Sequence, residues 1–463
     1  MMGKHYHLIG IGGIGMGTLA SLLVAKGHTV SGSDLKENEL TMGLRKKGAK
    51  ITIGHHTSNV NGADYVVYSS AIRVNNSELI EAVSQNIALL RRAQVLAQLV
   101  NEEIGITIAG AHGKTTTTSM VSSLLINADL SPTTAIGGII NGGTYNANLG
   151  EGKYFVAEVD ESDGTFLYFN PHYSIITNMD FEHVDFYKNW EGIRNAYSKF
   201  IQCTAKEGRV LVCGEDRQLL QLVEQQNVSF ISYGLSDQQD VYATGIVTEG
   251  FHSSFTCHTQ RGKLGDFELR VPGRHNILNA LACITLGLEL GISYEVMHKT
   301  LINFTGVKRR FQLKGRVDDV TVVDDYGHHP AEIEATLKAA RLFTPKRLIT
   351  VFQPHRYSRT KFLLNELAES LKISDQLVLT DIYSAGEKMS EGVGIRVLFE
   401  KVQKILGSSK VVFMKKEDIL KYVQALVAPG DMVIFLGAGD IYHLSDELVK
   451  ILEEKSITMV KSV

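Results

Sequence analysis

The stretch Gly110-Ala111-His112-Gly113-Lys114-Thr115 is where residue type and spacing point most directly to chemistry. Glycines let backbone amides turn toward phosphate oxygens, and a helix starting here offers the positive end of its dipole. Lys114 adds a charge, Thr115 a hydroxyl ligand for magnesium, and Thr116 carries the loop into the helix. Ala109 and Ile108 stand where a standard phosphate loop has its first glycine, so this is a shortened variant. The chemistry expected of it is ATP binding. Magnesium on a triphosphate needs a second acidic anchor at the end of a neighbouring strand. Glu158 fits, since it closes an apolar segment and opens the run Glu158, Asp160, Glu161, Asp163. Asn178, Asp180, His183 and Asp185 follow another apolar segment, where the carboxyl ends of a parallel sheet collect ligand groups. Asp160, Glu161, Asp180 and Asp185 read equally well as solvated acidic loop residues.

A second glycine pattern lies near the N-terminus. Gly10, Gly12, Gly13 and Gly15, with Asp34 beyond them, match a dinucleotide fingerprint. The same backbone geometry can hold the diphosphate of a nucleotide-linked substrate. A nicotinamide-dependent redox enzyme therefore stays open as one alternative. A phosphate-loop switch or motor is another, although it leaves the first pattern without a task.

These motifs need strands and helices to present them. Apolar runs over 7–9, 29–33 and 65–68 alternate with helical patterns, the first helix running from about Ile14 to a C-cap at Gly27. Asn75 with Glu78 three residues on suggests a capping box. A second unit opens with a strand over 104–109 and a helix over 114–126, with further strands over 155–158 and 174–177. It continues through a β-rich stretch over 241–271 to a helix over 276–290. A third follows Gly315, with strands over 320–323, 348–352, 377–380 and 432–436 and a helix starting at Pro330. The fold class is α/β in three domains, 1–101, 102–313 and 314–463, each a helix-covered and largely parallel sheet.

Composition narrows the partners. Hydrophobic residues at 44% and charged residues at 21% describe a chain folded throughout. A net charge of -3 provides no broad basic field, so nucleic acid is not an expected partner. The uncharged stretch 8–25 imitates an export signal or a membrane span, but its glycine spacing is that of a strand-to-helix turn, so no stable membrane association is expected. Cys203, Cys213, Cys257 and Cys283 form no paired motif for zinc or a disulfide framework, which places the chain in a reducing compartment, the cytoplasm.

Taken together, the motifs resemble the Mur ligases, the ATP-dependent amide-forming enzymes of peptidoglycan synthesis. The resemblance spans essentially the whole chain. It rests on the N-terminal glycines, Ser69-Ser70-Ala71-Ile72, the stretch 110–117, the acidic run 158–163, Gly273-Arg274-His275-Asn276 with Asn279, Asp324-Asp325-Tyr326-Gly327-His328-His329-Pro330, and the stretch 352–359. Within the family the marks are those of the member that adds the first amino acid of the stem peptide.

The resemblance implies a Rossmann-like N-terminal domain for the UDP part of UDP-N-acetylmuramate, a central ATP domain and a Rossmann-like C-terminal domain for L-alanine. Gly10, Gly12, Gly13, Gly15 and Asp34 would hold UDP, with Ser70 and Ala71 lining the pocket. Lys114 would lie on the β- and γ-phosphates, Thr115 and Glu158 on one magnesium and His183 on a second, while Asn276 and Asn279 read adenine beside His275. Asn276 by itself is also a common helix cap. Arg310 would reach the transferred phosphate, with Arg309 a solvated neighbour; Asp325, Tyr326, His328, His355, Arg356 and Arg359 would close over the site and place L-alanine. His183 or His328 would assist the amine proton. No carbamylated lysine is expected, and His328-His329 is not read as a zinc site. The implied assembly is a monomer or homodimer. The nearest rival in the family joins a whole tripeptide to the same UDP sugar; the run 158–166, Glu-Val-Asp-Glu-Ser-Asp-Gly-Thr-Phe, favours the alanine member.

Overall fold

Three sheets are built into two compact units. The computed structural model describes residues 3–69, 71–138, 141, 147–182, 184–387 and 394–461. The first unit comprises Met1–Gly245, Phe255–Phe267 and Leu278–Phe304, and the second Ile246–Ser254, Glu268–Ile277 and Thr305–Val463.

In the first unit, a five-stranded parallel sheet runs in the order Lys50–Ile53, Thr29–Asp34, His5–Ile9, Tyr65–Tyr68, Ala88–Arg91. His5–Ile9 is central, and the chain leaves it first to one side and later to the other. A parallel sheet opens a crevice at the carboxyl end of such a strand. The helix Ile14–Ala25 is apolar all round and correspondingly buried, with Met16, Leu19, Ala20, Leu22 and Leu23 out of water. Gly27, at φ +82°, ends it by donating its amide to Val24. The uncharged stretch 8–25 is therefore strand, turn and core helix. Among the described residues no helix is long and apolar enough to cross a membrane.

The expected capping box is not formed. Asn76, not Asn75, caps the helix Ser77–Ser84, accepting from the amides of Glu78 and Leu79. Glu78 is wholly buried and accepts instead from the Ser33 hydroxyl at 2.6 Å and the Asn59 amide at 2.5 Å. Burial works against its charge, but hydrogen bonds from His7, Ser33 and Asn59 outweigh it and hold the carboxyl down at about 2.

The second sheet contains the parallel strands Thr133–Ala135, Tyr154–Glu158, Ile104–Ala109, Tyr173–Ile176, Arg209–Cys213 and Phe230–Gly234 in that spatial order. Ile104–Ala109 again has later strands on both sides. Buried residues run without a break from Leu8, Leu19 and Leu96 to Ala109, Phe155 and Phe166, so the first two sheets share one core. Phe166 stacks on Phe200 at 4.7 Å and meets Tyr197 edge-on at 5.5 Å. Burying such a ring contributes about 1.5–3 kcal/mol.

The second unit carries a sheet in the order Gln312–Val317, Val320–Asp325, Asp431–Leu436, Arg347–Phe352, Gln376–Leu379, Val411–Phe413, antiparallel at the first pair and parallel thereafter. Successive strand residues face opposite sides, so Val323, Phe352 and Ile434 pack in one layer and Val322, Val351 and Phe435 in the other. The segment Ile246–Ser254, distant in sequence, belongs here because Phe251 packs edge-on against Phe343 at 4.6 Å and Phe311 at 5.9 Å.

Candidate active site

The loop after Ile104–Ala109 sits at the switch point of the second sheet, between the ends of Tyr154–Glu158 and Tyr173–Ile176. Gly110 has φ +131°, and a Cβ there would fall 2.1 Å from the Thr177 hydroxyl oxygen. Only glycine fits. Gly113, at φ +82°, caps the helix Lys114–Asn127, and a Cβ on it would meet Oδ1 of Asn279 at 2.6 Å. The neighbouring strand end grips the loop: Asn178 Oδ1 accepts from the His112 amide at 2.8 Å, while Thr177 Oγ1 donates to the His112 carbonyl at 2.6 Å. Nε2 of His112 lies 2.9 Å from Asp180 Oδ2. Asn279 accepts from Thr117 at 3.1 Å, which places its amide against the loop and first helical turn.

Lys114 points back over the loop. It donates to the carbonyls of Gly110 and Ala111, and its Nζ lies 3.1 and 3.0 Å from the two oxygens of Glu161. Burial opposes the charge, but Glu161, Asp160 and Glu158 more than compensate and hold the ammonium well above its ordinary pKa. Glu161 is only 3% exposed, so it is no solvated loop residue. Tyr187 donates to its backbone carbonyl and helps fix it.

Glu158 closes its strand beside the loop. Its Oε1 accepts from Thr115 at 3.0 Å and its Oε2 from the Gly137 amide at 2.9 Å. The Thr115 hydroxyl and the Glu158 carboxylate side by side are hard oxygen donors of the kind that suits magnesium. His183 lies outside the described residues, as does Ser70.

The N-terminal glycine loop has its own geometry. Gly10 and Ile11 donate to the Ser33 carbonyl at 2.8 and 3.0 Å, and Gly12 donates to Asp34 Oδ2 at 2.8 Å. Asn38 holds the Gly12 carbonyl at 3.0 Å. Gly13 is the N-cap of Ile14–Ala25. Ala71 is exposed, and Ile72 beside it would lie 3.2 Å from a Cβ on Gly10. Arg92 was not visible as a site residue in sequence. Its guanidinium lies against Gly15, where a Cβ would fall 3.1 Å from Nη1 and 3.3 Å from both Cζ and Nε.

In the second unit, residues from several strand ends converge. Asp325 is buried, and its two oxygens accept from the amides of Phe311 and Gly327, each at 2.7 Å. That fixes the turn carrying Tyr326 and His328. Burial raises Asp324 to about 7, against the opposing pull of Arg309. Arg309 is not the solvated neighbour expected. Its guanidinium lies 4.2 Å from the ring of Tyr442 and 4.8 Å from that of Tyr326, and donates to the Gly437 carbonyl at 2.6 Å. The Arg310 guanidinium lies 5.1 Å from the centre of the Tyr326 ring and 3.4 Å from Glu332.

Nδ1 of His328 lies 3.0 Å from the Tyr326 carbonyl. Burial, only partly offset by Glu332, lowers it to about 3, so it is neutral near pH 7. Nδ1 of His355 faces Nη1 of Arg359 at 3.1 Å, and the ring stacks on Tyr383 at 5.6 Å. Burial first, and then Arg359 and Arg356, lower it to about 4. Arg356 adopts φ +68° at the head of the helix Tyr357–Phe362. His329 precedes Pro330, the first residue of the helix Pro330–Arg341, and Glu332 accepts from the amides of His328 and His329. Asn276 is not a helix cap: the helix is Arg274–Glu289, and the Asn276 amide donates to the Pro272 carbonyl at 2.6 Å. His275 beside it is exposed.

Three family models match in sequence: the Mur ligase family catalytic domain over residues 5–103, the Mur ligase middle domain over 108–287 and the Mur ligase glutamate ligase domain over 309–439. The chain is 44% identical to the UDP-N-acetylmuramate–L-alanine ligase of Trichlorobacter lovleyi, covering 96% of this chain and 98% of that one. It is also 44% identical to the enzyme of the same name from Geobacter sulfurreducens, over 97% of each. Among solved structures it resembles the UDP-N-acetylmuramate-alanine ligase of Thermotoga maritima, with a TM-score of 0.82 and 28% identity over 97% of this chain and 99% of that one. A murein peptide ligase from Psychrobacter arcticus superposes with a TM-score of 0.73 at 25% identity, over 97% and 99% of the two chains. On this evidence the chain belongs to the Mur ligase family.

Proposed function

We propose that this chain is an ATP-dependent ligase that joins L-alanine to the lactyl carboxylate of UDP-N-acetylmuramate, giving ADP and phosphate, in peptidoglycan synthesis. The observation that carries the reading is Lys114, Thr115 and Glu158 gathered at one strand end, in a chain 44% identical over its length to ligases of that name. We assign residues 1–101 to the UDP moiety, 102–313 to ATP and 314–463 to the amino acid. Four free cysteines and a nucleotide-linked substrate support a cytoplasmic setting.

The lactyl carboxylate oxygen attacks the γ-phosphorus in line, breaking the bond to ADP and forming an acyl phosphate. The L-alanine nitrogen then attacks the carbonyl carbon, phosphate leaves, and the proton that the amine gives up passes to the departing phosphate. No nucleophile from the chain is needed; its task is orientation and charge neutralisation. Lys114 neutralises the phosphates, and Arg310 the group in transfer. Thr115 and Glu158 would hold magnesium, which would supply Lewis-acid stabilisation of phosphate charge, and His183 would hold a second ion. Gly10 to Gly15 and Asp34 hold UDP, with Ser70 and Ala71 alongside; Asn276 and Asn279 face adenine. Tyr326, His355, Arg356 and Arg359 place L-alanine on the turn that Asp325 organises. His328, neutral and weakly basic, acts there as a hydrogen-bonding group.

The likeness to a murein peptide ligase supports a second reading, in which the amine donor is a tripeptide. Phosphate release from ATP and magnesium, with UDP-N-acetylmuramate fixed and the amine donor varied, decides between them. Release with L-alanine and not with tripeptide is the expected outcome. The converse would replace the first reading, and release needing neither co-substrate would refute both.

A further inference from the structure

Arg91 and Arg92 leave the edge strand of the first sheet together but meet different fates. Arg91 reaches Asp163 at 3.5 Å. Arg92 has no hydrogen-bond or ion-pair partner among the described residues, although it is partly buried. A half-desolvated guanidinium without an anion is costly unless something negative completes it. A Cβ on Gly15, in the first turn of the helix Ile14–Ala25, would fall 3.1–3.3 Å from its Nη1, Cζ and Nε, so the guanidinium lies against that turn. The glycine loop therefore has two unlike ends. Asp34 sits against Gly12, and a Cβ on Gly12 would fall 2.9 Å from its Oδ2. Arg92 sits against Gly15.

We propose that Arg92 is the positioning residue for the diphosphate of the UDP-linked substrate. A carboxylate at one end of the loop suits ribose hydroxyls; a planar cation with free donors above a helix N-terminus suits a diphosphate, to which a guanidinium can donate two parallel hydrogen bonds. The uridine end is thereby directed toward Asp34 and the diphosphate toward Gly15. Gly15 serves to let the guanidinium lie against the backbone. The inference rests on the assignment of UDP-N-acetylmuramate to the N-terminal sheet.

The test uses the full chain with Arg92→Ala and Arg92→Lys. Binding of UDP and of uridine is measured by titration, alongside KM for UDP-N-acetylmuramate and for ATP. Loss of a charge-assisted contact predicts UDP affinity weakened about tenfold to a hundredfold in Arg92→Ala. Uridine affinity and the KM for ATP are expected to stay unchanged, with Arg92→Lys intermediate because it keeps the charge and loses the planar fork. Unchanged uridine binding also shows that the variant is folded. UDP affinity in Arg92→Ala within about twofold of wild type, or an equal loss for uridine, overturns the role of Arg92 and leaves the ligase assignment standing. Wild-type phosphate release that does not depend on UDP-N-acetylmuramate overturns both.

Discussion

Glu161→Gln separates two roles that a buried carboxylate beside a phosphate-binding lysine can play. Glu161 engages Lys114 through both oxygens, at 3.1 and 3.0 Å, and the charge of Lys114 is upheld first by Glu161 and then by Asp160 and Glu158. Removing one partner of a buried pair typically costs about 3–5 kcal/mol, because the other charge is left uncompensated. Asp160 and Glu158 remain, so the lower figure applies. A loss of about 3 kcal/mol corresponds to a fall of roughly 6–10 °C in the melting temperature of the first unit. Nucleotide should respond in the opposite sense. Phosphate oxygens compete with Glu161 for the same ammonium, and the variant carries one negative charge fewer at the loop. Thermal melts with and without ATP and magnesium therefore give a larger nucleotide-induced stabilisation in Glu161→Gln than in wild type, since ligand binding adds RT ln(1 + [L]/Kd). An unchanged melting temperature without nucleotide, or a nucleotide effect reduced to that of Lys114→Ala, would refute the view that Glu161 holds Lys114 for the phosphates.

Lys114→Ala is expected to abolish turnover while leaving UDP-N-acetylmuramate binding largely intact; normal turnover would sink the ATP assignment. Glu158→Gln keeps one acceptor oxygen for Thr115 or the Gly137 amide and loses the other. The magnesium concentration for half-maximal rate should rise about tenfold, the loss of roughly 1.4 kcal/mol of ion binding, and an unaltered magnesium curve would count against Glu158 as ligand. His328 and His355 are held at about 3 and about 4, below the ordinary 6.5. A lowered pKa gives stability that is present above the unfolded value and lost as pH falls toward the folded one, so the second unit should weaken from about pH 6.5 downward. For His328 the loss by pH 5 is about 2 kcal/mol, at roughly 1.4 kcal/mol per pH unit. A melting temperature of the second unit that holds between pH 7 and pH 5, and does so equally in His328→Gln, would contradict this.

Much of the site is legible in the sequence itself. Gly110, Gly113, Lys114 and Thr115 are decipherable because a phosphate loop demands particular residue types at fixed spacing over a few positions, and the strand Ile104–Ala109 and helix Lys114–Asn127 that present it carry strong local patterns. The same holds for Gly10 to Gly15 between His5–Ile9 and Ile14–Ala25. Tertiary structure decided what depends on contacts between distant positions. Whether Glu161 was a solvated loop residue or the partner of Lys114 turned on burial 47 positions away in sequence. Glu78, three residues from a plausible cap, went to Ser33, Asn59 and His7 in the core because the helix began one residue later than the pattern suggested. Arg309 gave no local signal of its place between Tyr326 and Tyr442, and Arg92 none of its place on Gly15. Short-range spacing specifies turns and helix starts, since their hydrogen bonds close within a few residues; the environment of a long charged side chain is set by whichever strand ends the sheet order brings beside it.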